Sequence, residues 1–572
     1  MSRHHRVLPL LLAACLGVAA LHCGGAQAKA RPPTRAPARH GMVVAANPLA
    51  AAAGLKVLQA GGSAADAAVA IQAVLSLVEP QSSGIGGGAF MVLYDAKTGK
   101  TTAYNGREMA PAAATPQLFL KADGTPMQYF EAILSGRSTG APGALALLAL
   151  AQADHGRRPW GSLFDEAERL AGQGFKVSPR LERFINAPVP QAKAPDIAAY
   201  FTKADGTRVK AGDVLRNAAY AATLQRIAVG GPRAFYDGKI ADDIAGRVQR
   251  DPGGVLTRED IAGYRAKATD ALCRPYRAYV VCAPPAPSGG PVLLEMLGIL
   301  ARTDIDKRGP NDPKAWFQIA QASRLAYADR DRWMGDPDFV SVPTDGLLSP
   351  AYLDARATLV GETAGPPPQP GMPPGAPTAG ADATREPGGT SHFVVVDRQG
   401  DVVSMTTSVE SVFGSGRMVD GFVLNNQLTD FSFTPKDREG RPAANAPAAR
   451  KRPRSSMTPV IVLDRKGKFL AAVGSPGGGA ILAYDLKTLV GVLDWKLSMQ
   501  QAIALPNLIA NGGQYNGEVD KFPPAVIKGL ADRGITLSPG RGEDSGLHGV
   551  MLRDGKLEGG ADPRREGVVL VD

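Results

Sequence analysis

A threonine placed between two glycines and an apolar run is the feature that most limits how this chain can fold. Residues Gly388 to Asp397 read GGTSHFVVVD and end a stretch rich in proline, glycine and alanine that begins at Glu362. A stretch of that composition does not pack a core of its own, whereas the branched apolar residues after it are typical of a buried β-strand. We therefore expect the chain to change at Thr390, from a linker over 362–389 to a strand.

The same junction is suited to chain cleavage. If the Gly389–Thr390 peptide bond were broken, Thr390 would carry a free α-amine beside its own hydroxyl, so one residue would supply nucleophile and general base. An α-amine has an ordinary pKa of about 7.7 to 8.0, which leaves a usable neutral fraction near pH 7. His392 shares the strand face of Thr390, but we interpret it as structural, because the freed amine already supplies a base. The alternative is a plain junction between linker and strand.

The amino terminus has the pattern of a cleaved secretory signal. A basic start is followed by an apolar run, Val7 to Leu21, and by the small-residue motif Ala26-Gln27-Ala28. This order predicts removal of residues 1–28 and a periplasmic or secreted protein. A lipoprotein cut before Cys15 is the less favoured alternative, because it would leave an exposed apolar stub. No later segment is long and apolar enough to predict a membrane span.

Charge and composition argue against several functional classes. The formal net charge is +10 over 572 residues. Basic residues cluster only locally, as in Arg450 to Arg454, without aromatic interleaving or a nucleic-acid-binding signature. We therefore expect no nucleic-acid partner, and we interpret that run as a loop that faces an anion. The histidines beyond the leader form no HExxH motif or other metal-ligand cluster, so we predict no metal and no other cofactor.

Two cysteines, Cys273 and Cys282, lie beyond the leader. An exported chain permits a disulfide between them, and we expect a structural role. The sequence does not decide whether they pair.

Local patterns predict helices early in the chain and hairpins on both sides of the linker. Asn47-Pro48 predicts the start of a helix that ends at Gly61-Gly62. Ser63 with Asp66 predicts a second helix that runs to Val78. Three hairpin patterns are AFMVLYDAKTGKTTAYNGRE before the linker, then HFVVVDRQGDVVSMTTSV and PVIVLDRKGKFLAAVG after it. Their near-continuous apolar strands predict an α/β (α+β) fold, a four-layer αββα sandwich of two antiparallel sheets flanked by helices, with one core.

Three motifs rich in glycine or serine each have a structural alternative. Gly84 to Ala89, GIGGGA, resembles a dinucleotide-binding loop, but it precedes a strand instead of following one, so we favour a tight turn. Gly474 to Gly479, GSPGGG, follows a strand and precedes a helix. Its N–H groups could form an oxyanion hole, or the loop could simply need positive φ. Ser455 and Ser456 could likewise be only a turn.

Read together, these elements resemble the γ-glutamyltranspeptidase (glutathione hydrolase) family of N-terminal-nucleophile hydrolases. The resemblance covers nearly the whole chain beyond the leader. It is carried, in this order, by GGSAADAAVA, EPQSSGIGGGAF, NGREMAP, AFYDGKIA, APPAPSGG, AYADRDRW, GGTSHFVVVD, LNNQLTDFSF, RPRSSMTP, GSPGGG and ADPRREG. Any single passage is weak, but the ordered series is specific.

The resemblance implies a precursor that cleaves itself at Gly389–Thr390. The products would be a large subunit, 29–389, and a small catalytic subunit, 390–572, which stay together as a heterodimer. Thr390 Oγ would attack the γ-carbonyl of glutathione or another γ-glutamyl compound and form an acyl-enzyme. Water, an amino acid or a dipeptide would then accept the γ-glutamyl group.

Positions that match the family motifs imply the residues that bind the glutamate head group. Arg107 would clamp the α-carboxylate with its guanidinium fork. Ser455 and Ser456 would donate hydroxyl hydrogen bonds to the same carboxylate. Gln427 and Asp430 would accept hydrogen bonds from the α-ammonium.

Other matching positions imply the catalytic surroundings, with some departures from the family. Gly477 and Gly478 would hold the oxyanion through backbone N–H groups. Ser408 stands where many members have threonine, and it keeps the hydroxyl expected beside the nucleophile. Glu410 stands where many have asparagine, and it would add a negative charge near the ammonium. The segment Ser432 to Arg450, where the family carries a loop over the pocket, contains no tyrosine, so we expect a pocket without that aromatic wall.

Two other functions stay open. One is an acylase of the same fold that removes glutaryl groups, which lack the α-ammonium. Retention of Gln427 and Asp430, with Glu410 added, argues against it, because three acceptors would face an uncharged methylene. The other is an uncleaved binding or scaffold protein, which would keep its function without the Thr390 hydroxyl.

Overall fold

A computed structural model describes residues 40–382, 384, 386–540 and 545–572 of the chain. The predicted leader, 1–28, lies outside these residues. Within them, no helix is both long enough and apolar enough to cross a membrane.

The described residues form strands along the whole chain. They are β1 (Met42–Ala45), β2 (Gly88–Tyr94), β3 (Thr101–Gly106), β4 (Phe175–Lys176), β5 (Val214–Leu215), β6 (Lys267–Asp270), β7 (Leu272–Tyr276), β8 (Tyr279–Ala283), β9 (Thr390–Val396), β10 (Val402–Ser408), β11 (Met418–Val419), β12 (Phe422–Val423), β13 (Val460–Asp464), β14 (Phe469–Gly474), β15 (Leu508–Asn511), β16 (Gln514–Gly517), β17 (Ser538–Pro539), β18 (His548–Arg553), β19 (Lys556–Ala561) and β20 (Val568–Val571).

Most of the helices precede Thr390. They are α1 (Pro48–Gln59), α2 (Ala64–Val78), α3 (Tyr129–Leu134), α4 (Ala144–His155), α5 (Asp165–Gln173), α6 (Pro179–Ile185), α7 (Pro195–Tyr200), α8 (Ala218–Gly230), α9 (Arg233–Tyr236), α10 (Lys239–Gln249), α11 (Arg258–Ala262), α12 (Gly290–Leu300), α13 (Pro313–Trp333), α14 (Thr344–Leu347), α15 (Pro350–Thr358), α16 (Ile481–Leu493), α17 (Met499–Ala504) and α18 (Pro524–Ala531).

Two large antiparallel sheets contain most of the strands. One has seven strands in the order β20-β1-β9-β10-β2-β3-β6, and the other has six in the order β19-β18-β14-β13-β8-β7. Strand β1, from the start of the described chain, pairs with both β9 and the carboxyl-terminal β20. Because neighbouring strands come from distant parts of the chain, the parts before and after Thr390 build one sheet and one core.

The sheets pack face to face and helices cover their outer faces. Side chains from both sheets meet in a buried apolar layer that includes Val44, Val92, Val394, Ile461 and Val550. Helices α1, α2 and α4 pack on the seven-stranded sheet, and α12, α16 and α17 pack on the six-stranded one. Burial on both faces explains why these strands are almost continuously apolar. The predicted four-layer αββα sandwich is confirmed.

The early helices begin at the signals predicted from the sequence. Before α1, the Asn47 side chain accepts a hydrogen bond from the Leu49 N–H. Before α2, Ser63 and Asp66 form a reciprocal capping box, so each side chain satisfies a backbone donor of the first turn. The three predicted hairpins are β2–β3, β9–β10 and β13–β14, and each pairs antiparallel. These local predictions are confirmed.

The two cysteines beyond the leader form a disulfide, which the sequence left open. Cys273 on β7 lies directly opposite Cys282 on β8, and their sulfurs are bonded. The bridge therefore joins neighbouring strands at the edge of the six-stranded sheet.

The Pro/Gly-rich region lies along α13. We call residues 362–382 the strap. Arg324 on α13 donates to the Pro366 carbonyl at 2.8 Å, and Asp329 on α13 accepts from the Gly371 N–H at 2.6 Å. The strap contains no regular helix or strand, so polar contacts to its backbone hold it in place.

Candidate active site

Thr390 and Ser408 lie side by side at the ends of paired strands. Thr390 opens β9, Ser408 closes β10, and the antiparallel register places them directly opposite each other. Thr390 Oγ1 donates to Ser408 Oγ at 3.1 Å. Ser408 Oγ donates to the Gly389 carbonyl oxygen at 2.8 Å. A chain of hydroxyls thus links Thr390 to the carbonyl of the peptide bond that precedes it.

The backbone around this pair is tightly constrained. A Cβ atom on Gly389 would lie 2.2 Å from the Glu410 carbonyl oxygen, so only glycine fits there. The Glu410 N–H donates to Ser408 Oγ at 2.8 Å. Glu410 itself has φ of 84°, a conformation that residues with side chains rarely adopt and that is concentrated at functional sites. Here it accompanies a Glu410 side chain that lines the cavity.

A small cavity lies beside Thr390, and its unfilled space, together with the solvent at its open mouth, is about 210 Å³. It is lined by Arg107, Glu386, Thr390, Ser408, Glu410, Gln427, Asp430, Ser455, Ser456, Met457, Gly478 and Ile481. All the site residues expected from the sequence line it except Gly477. Residues that are up to about 370 positions apart in the chain are therefore gathered in one place.

Arg107 is completely buried in the cavity wall. Its Nη2 donates to Asp430 Oδ2 at 2.6 Å, and its Nε donates to the Pro453 carbonyl at 3.1 Å. Its Nη1 has no hydrogen-bond partner. The guanidinium fork expected to clamp a carboxylate is therefore partly used by the protein. Its Nη1, 3.9 Å from Glu108 Oε2, is the one side-chain nitrogen of Arg107 without a hydrogen bond.

The part of the wall next to Arg107, which contacts it through Asp430, presents three acceptor oxygens without donors. A 3₁₀ turn, Gln427–Asp430, carries two of the three side chains, and Gln427 Nε2 donates to Asp430 Oδ2 at 2.7 Å. Glu410 Oε1, Gln427 Oε1 and Asp430 Oδ1 are buried and have no hydrogen-bond partner. Buried acceptors normally have partners, so this wall suits a ligand that brings several N–H donors.

The two carboxyl groups of this wall are poised to take up or release a proton. Burial raises the pKa of Glu410 well above its usual value, and the neighbouring Asp430 raises it further. Burial also raises the pKa of Asp430, although Arg107 opposes that shift.

Within the described residues, no group of three or more His, Cys, Asp or Glu side chains is arranged to hold a metal ion.

Ser455 and Ser456 have hydroxyl hydrogens free to donate. Ser455 Oγ accepts from the Met457 N–H at 3.1 Å, and Ser456 Oγ accepts from Arg330 Nη2 at 2.9 Å. Because each oxygen already accepts a hydrogen bond, its own hydrogen can be directed at a bound carboxylate.

The loop from Gly474 to Gly479 joins β14 to α16 and bends at two glycines. Gly477 has φ of 135° and Gly478 has φ of 55°, conformations that favour glycine. Gly478 lines the cavity and Gly477 does not. The loop therefore both needs positive φ and borders the site.

His392 lies in the buried interior and not in the cavity lining. Its Nδ1 is 2.9 Å from Thr406 Oγ1. Burial lowers its pKa well below the usual value, and the neighbouring His548 lowers it further. This environment fits the structural role expected from the sequence.

The basic run from Arg450 to Arg454 faces carboxylates of the chain itself. Arg454 lies 3.4 Å from Asp382 and 3.7 Å from both Asp331 and Glu386. Lys451 Nζ donates to the Ala444 carbonyl at 2.7 Å, and Arg454 Nη2 donates to the Asp382 carbonyl at 2.9 Å. Lys451, Arg452 and Arg454 are all buried. The anions that the run faces therefore belong to the protein, and backbone carbonyls bind the remaining donors of Lys451 and Arg454.

The segment from Ser432 to Arg450 contributes an aromatic ring despite its lack of tyrosine. Phe433 stacks on Phe119 with ring centroids 4.6 Å apart, and Tyr129 lies 6.3 Å from Phe433. None of these rings lines the cavity. The aromatic cluster supports the rim, and the cavity wall itself is polar.

Sequence reasoning missed Glu386 and its partner Arg330. Glu386 lies in the Pro/Gly-rich region, which its composition marks as a linker. Arg330 lies in the passage AYADRDRW, which contributed to the family resemblance without a role for that residue. The signal that could have found Glu386 is a charged residue close to the expected cleavage point, but only the fold shows that it meets Arg330.

Comparisons with known proteins find similar sequences and structures over most of the chain. The γ-glutamyltranspeptidase family model matches residues 50–571. The glutathione hydrolase proenzyme of Bacillus subtilis (strain 168) is 35% identical over 93% of this chain and 91% of that protein. The crystal structure of cephalosporin acylase from Bacillus halodurans superposes with a TM-score of 0.82, 29% identity, and coverage of 95% of this chain and 98% of that chain. A chain of Helicobacter pylori γ-glutamyltranspeptidase gives a TM-score of 0.53 and 34% identity, over 57% of this chain and 93% of that chain.

Proposed function

The chain belongs to the γ-glutamyltranspeptidase family, and we propose that it cleaves itself between Gly389 and Thr390 to become an active γ-glutamyltransferase. The mature enzyme would hydrolyse glutathione and related γ-glutamyl compounds or transfer their γ-glutamyl group to an amino acid or dipeptide. The observation that carries the proposal is the hydroxyl chain from Thr390 through Ser408 to the Gly389 carbonyl. Through this chain of hydrogen bonds, the proposed nucleophile and the proposed scissile bond are linked beside one small polar cavity.

The hydroxyl chain supports a self-cleavage that needs only these groups and water. Thr390 Oγ attacks the Gly389 carbonyl carbon, an ester bond forms, and the C–N bond breaks. The hydroxyl proton ends on the released Thr390 amine. Ser408, which donates to the Gly389 oxygen at 2.8 Å, stabilises the negative charge that develops there. Water then hydrolyses the ester and leaves a Gly389 carboxylate and a free Thr390 hydroxyl.

The freed residue then acts on a γ-glutamyl donor. The Thr390 amine takes the proton from its own Oγ as that oxygen attacks the γ-carbonyl, and it passes the proton to the departing amine. The oxyanion lies against the N–H groups of Gly477 and Gly478. Water or an amino group attacks the acyl-enzyme in the second half of the reaction.

The polar walls support recognition of both head-group charges. The three unpartnered oxygens of Glu410, Gln427 and Asp430 suit an ammonium with three N–H donors. Next to these oxygens, Arg107 Nη1 and the hydroxyls of Ser455 and Ser456 suit a carboxylate. A γ-glutamyl group placed between them directs its γ-carbonyl towards Thr390.

A glutaryl acylase is the second candidate, since cephalosporin acylase from Bacillus halodurans shares this fold. A glutaryl group has no ammonium and would leave the three buried oxygens without donors, which is unfavourable. The polar wall therefore favours the γ-glutamyl donor.

We also propose that the chain is exported and that its two fragments, 29–389 and 390–572, stay together as a heterodimer. Strand β1 of the first fragment lies between β9 and β20 of the second, which supports lasting association. The proposed leader lies outside the described residues.

The decisive experiment combines mass, sequence and turnover on one purified sample. We expect two fragments, the smaller beginning at Thr390, and hydrolysis of a γ-glutamyl anilide that a dipeptide acceptor accelerates. The matched substrate is a glutaryl anilide, which differs only by the ammonium and should turn over far more slowly. Thr390→Ala should stay a single inert chain, while Thr390→Ser should still be cut.

Each alternative has its own outcome. Two fragments in Thr390→Ala would contradict self-cleavage by this residue. A faster reaction with the glutaryl substrate would favour the acylase. A single, inert wild-type chain that keeps a ligand would favour the binding protein.

A further inference from the structure

Glu386 is bound inside the carboxylate side of the cavity, three residues before the proposed cleavage site. Its side chain is only 5% exposed and pairs with Arg330. It accepts from the Ser456 N–H at 3.0 Å, and Arg454 Nε lies 3.7 Å away. Burial would raise the pKa of Glu386, but Arg330 and Arg454 outweigh burial and lower it. A charged carboxylate of the chain thus occupies this wall.

The backbone of the same segment covers the glycine loop. We call residues 386–389 the arm. The Glu386 carbonyl accepts from the Gly479 N–H at 3.0 Å. Gly478 lies so close to the arm that a Cβ there would be 2.3 Å from the Pro387 carbonyl oxygen. The arm therefore lies across the side of the cavity where the oxyanion donors are expected.

A glutamate side chain and a γ-glutamyl substrate offer this wall the same chemical group. Building on the proposed function, we propose that Glu386 is an internal carboxylate ligand that fills the head-group subsite of the uncut chain. While bound, it positions the arm so that the Gly389 carbonyl rests on Ser408. After cleavage the arm is free to leave, and the α-carboxylate of the substrate takes its place.

Arg330 is the positioning residue in both states, the uncut chain with Glu386 bound and the cleaved chain with the substrate carboxylate bound. Its Nη1 contacts Asp331 Oδ1 at 3.1 Å, while its Nη2 reaches both Glu386 and Ser456 Oγ. A buried cation that loses one partner is costly. Once Glu386 departs, a substrate carboxylate restores that partner, while the bond to Ser456 keeps its hydroxyl directed at the ligand.

The first test measures ligand binding to the uncut chain, so it does not depend on turnover. Both proteins carry Thr390→Ala to prevent cleavage, and one also carries Glu386→Ala. Titration calorimetry with L-glutamate should give a Kd at least about tenfold lower in the double variant, equivalent to about 1.4 kcal/mol. Equal affinities, or no binding by the double variant, would overturn the proposal.

Glu362→Ala in the same Thr390→Ala chain is the matched control. It also removes a glutamate of the Pro/Gly-rich region, but its side chain is 72% exposed and pairs with Lys314 at 2.8 Å. Its affinity for L-glutamate should equal that of Thr390→Ala alone. A gain as large as that of Glu386→Ala would attribute the effect to loosening of the region and contradict a specific subsite.

The second test measures cleavage with Thr390 intact. Glu386→Ala and Glu386→Gln should slow cleavage by at least about tenfold, because neither pairs with Arg330. Added acetate should speed up Glu386→Ala and not Glu386→Gln, whose amide still fills the space. If Glu386 had a merely structural role, added acetate would not change the cleavage rate of Glu386→Ala. Cleavage at the wild-type rate in both variants would overturn the proposal. Failure of the wild-type chain itself to cleave would overturn the proposed function instead.

Discussion

Two networks of buried charge differ in whether their atoms already have partners. In the strap network, Arg324 donates to the carbonyls of Gly365, Pro366 and Gly512 and to Gln321. Asp329 accepts from Gly371 N at 2.6 Å and from Tyr352 Oη at 2.8 Å, and it forms an ion pair with Arg356 Nε at 3.1 Å. In the head-group network, Arg107, Glu410, Gln427 and Asp430 each keep one polar atom without a partner.

This difference in hydrogen bonding distinguishes buried charges that stabilise the fold from buried charges that are available to bind a ligand. Burying a charge is costly unless it is paired and hydrogen-bonded. The strap network meets most of that cost inside the protein, because all three Arg324 side-chain nitrogens donate hydrogen bonds and both Asp329 oxygens accept them. The head-group network leaves the cost partly unmet, which a zwitterionic ligand can relieve. Substitutions in the head-group network should therefore lower activity with little effect on stability. Matched substitutions in the strap network should lower stability with little effect on activity.

The largest expected effect comes from replacing arginine by lysine in each network. Arg107→Lys should lower kcat/KM for a γ-glutamyl anilide by about 10²–10³-fold, because an ammonium cannot hold Asp430, the Pro453 carbonyl and a carboxylate together. Arg324→Lys should change kcat/KM by less than about twofold, since its site is distant. Steady-state kinetics of both variants decide the point. Equal losses would show that the networks are not separate.

Removal of a charge from the strap network should affect stability and not kinetics. Asp329→Asn should lower the free energy of unfolding by about 2–4 kcal/mol, because an amide cannot satisfy Gly371 N, Tyr352 and Arg356 together. Urea denaturation measures this loss. KM should stay at the wild-type value, and a raised KM at unchanged stability would contradict the assignment.

The corresponding change in the head-group network should have the reverse pattern. Glu410→Gln should raise KM about tenfold, because the ammonium loses a charged acceptor. Urea denaturation should show no loss of stability, because the raised pKa of Glu410 favours a neutral carboxyl group in the free site and the amide is neutral too. Steady-state kinetics measure the change in KM.

Proton release provides a sharper readout of the same site. The pKa of Glu410 is raised well above its usual value by burial and by Asp430, so the free site holds a proton there. A bound ammonium favours the charged form and should expel that proton. Calorimetry of L-glutamate binding in two buffers of different ionisation enthalpy should detect release in the wild type and much less in Glu410→Gln. Identical release in both would remove Glu410 from the ammonium site.

The smallest expected effect separates the pH response of the fold from that of the pocket. Burial lowers the pKa of His548 to about 3, against an opposing effect of Asp562, and His392 and Arg565 lie nearby. The unfolded chain gains this proton near pH 6.5, so the stabilisation is present above that pH and is lost as pH falls towards 3. His548→Gln should flatten the pH dependence of unfolding in this window by at most about 1.4 kcal/mol per pH unit. His40→Gln, at an exposed histidine, should leave it unchanged.

Much of the site was accessible from the sequence because its residues lie in contiguous motifs. NGREMAP, NNQLTD and RPRSSMTP each carry at least one residue that lines the cavity. The predicted β9–β10 hairpin returns the chain to Thr390, which places Ser408 beside it. The partners of the charged residues were harder to predict from the sequence. The guanidinium fork of Arg107 proved to be partly used by Asp430, and Arg454 in the basic run proved to pair with carboxylates of the chain itself.

The sequence by itself determined the elements whose cause is local. Caps such as Ser63 with Asp66, the hairpin patterns and the glycines that need positive φ act over a few residues, so their physics is complete within a short stretch. The tertiary structure alone decided which charges meet. Glu386 binds Arg330 and Arg454, and Asp329 binds the strap, across tens of residues. Electrostatic pairing depends on distance and on exclusion of water, and both exist only after the layers have packed.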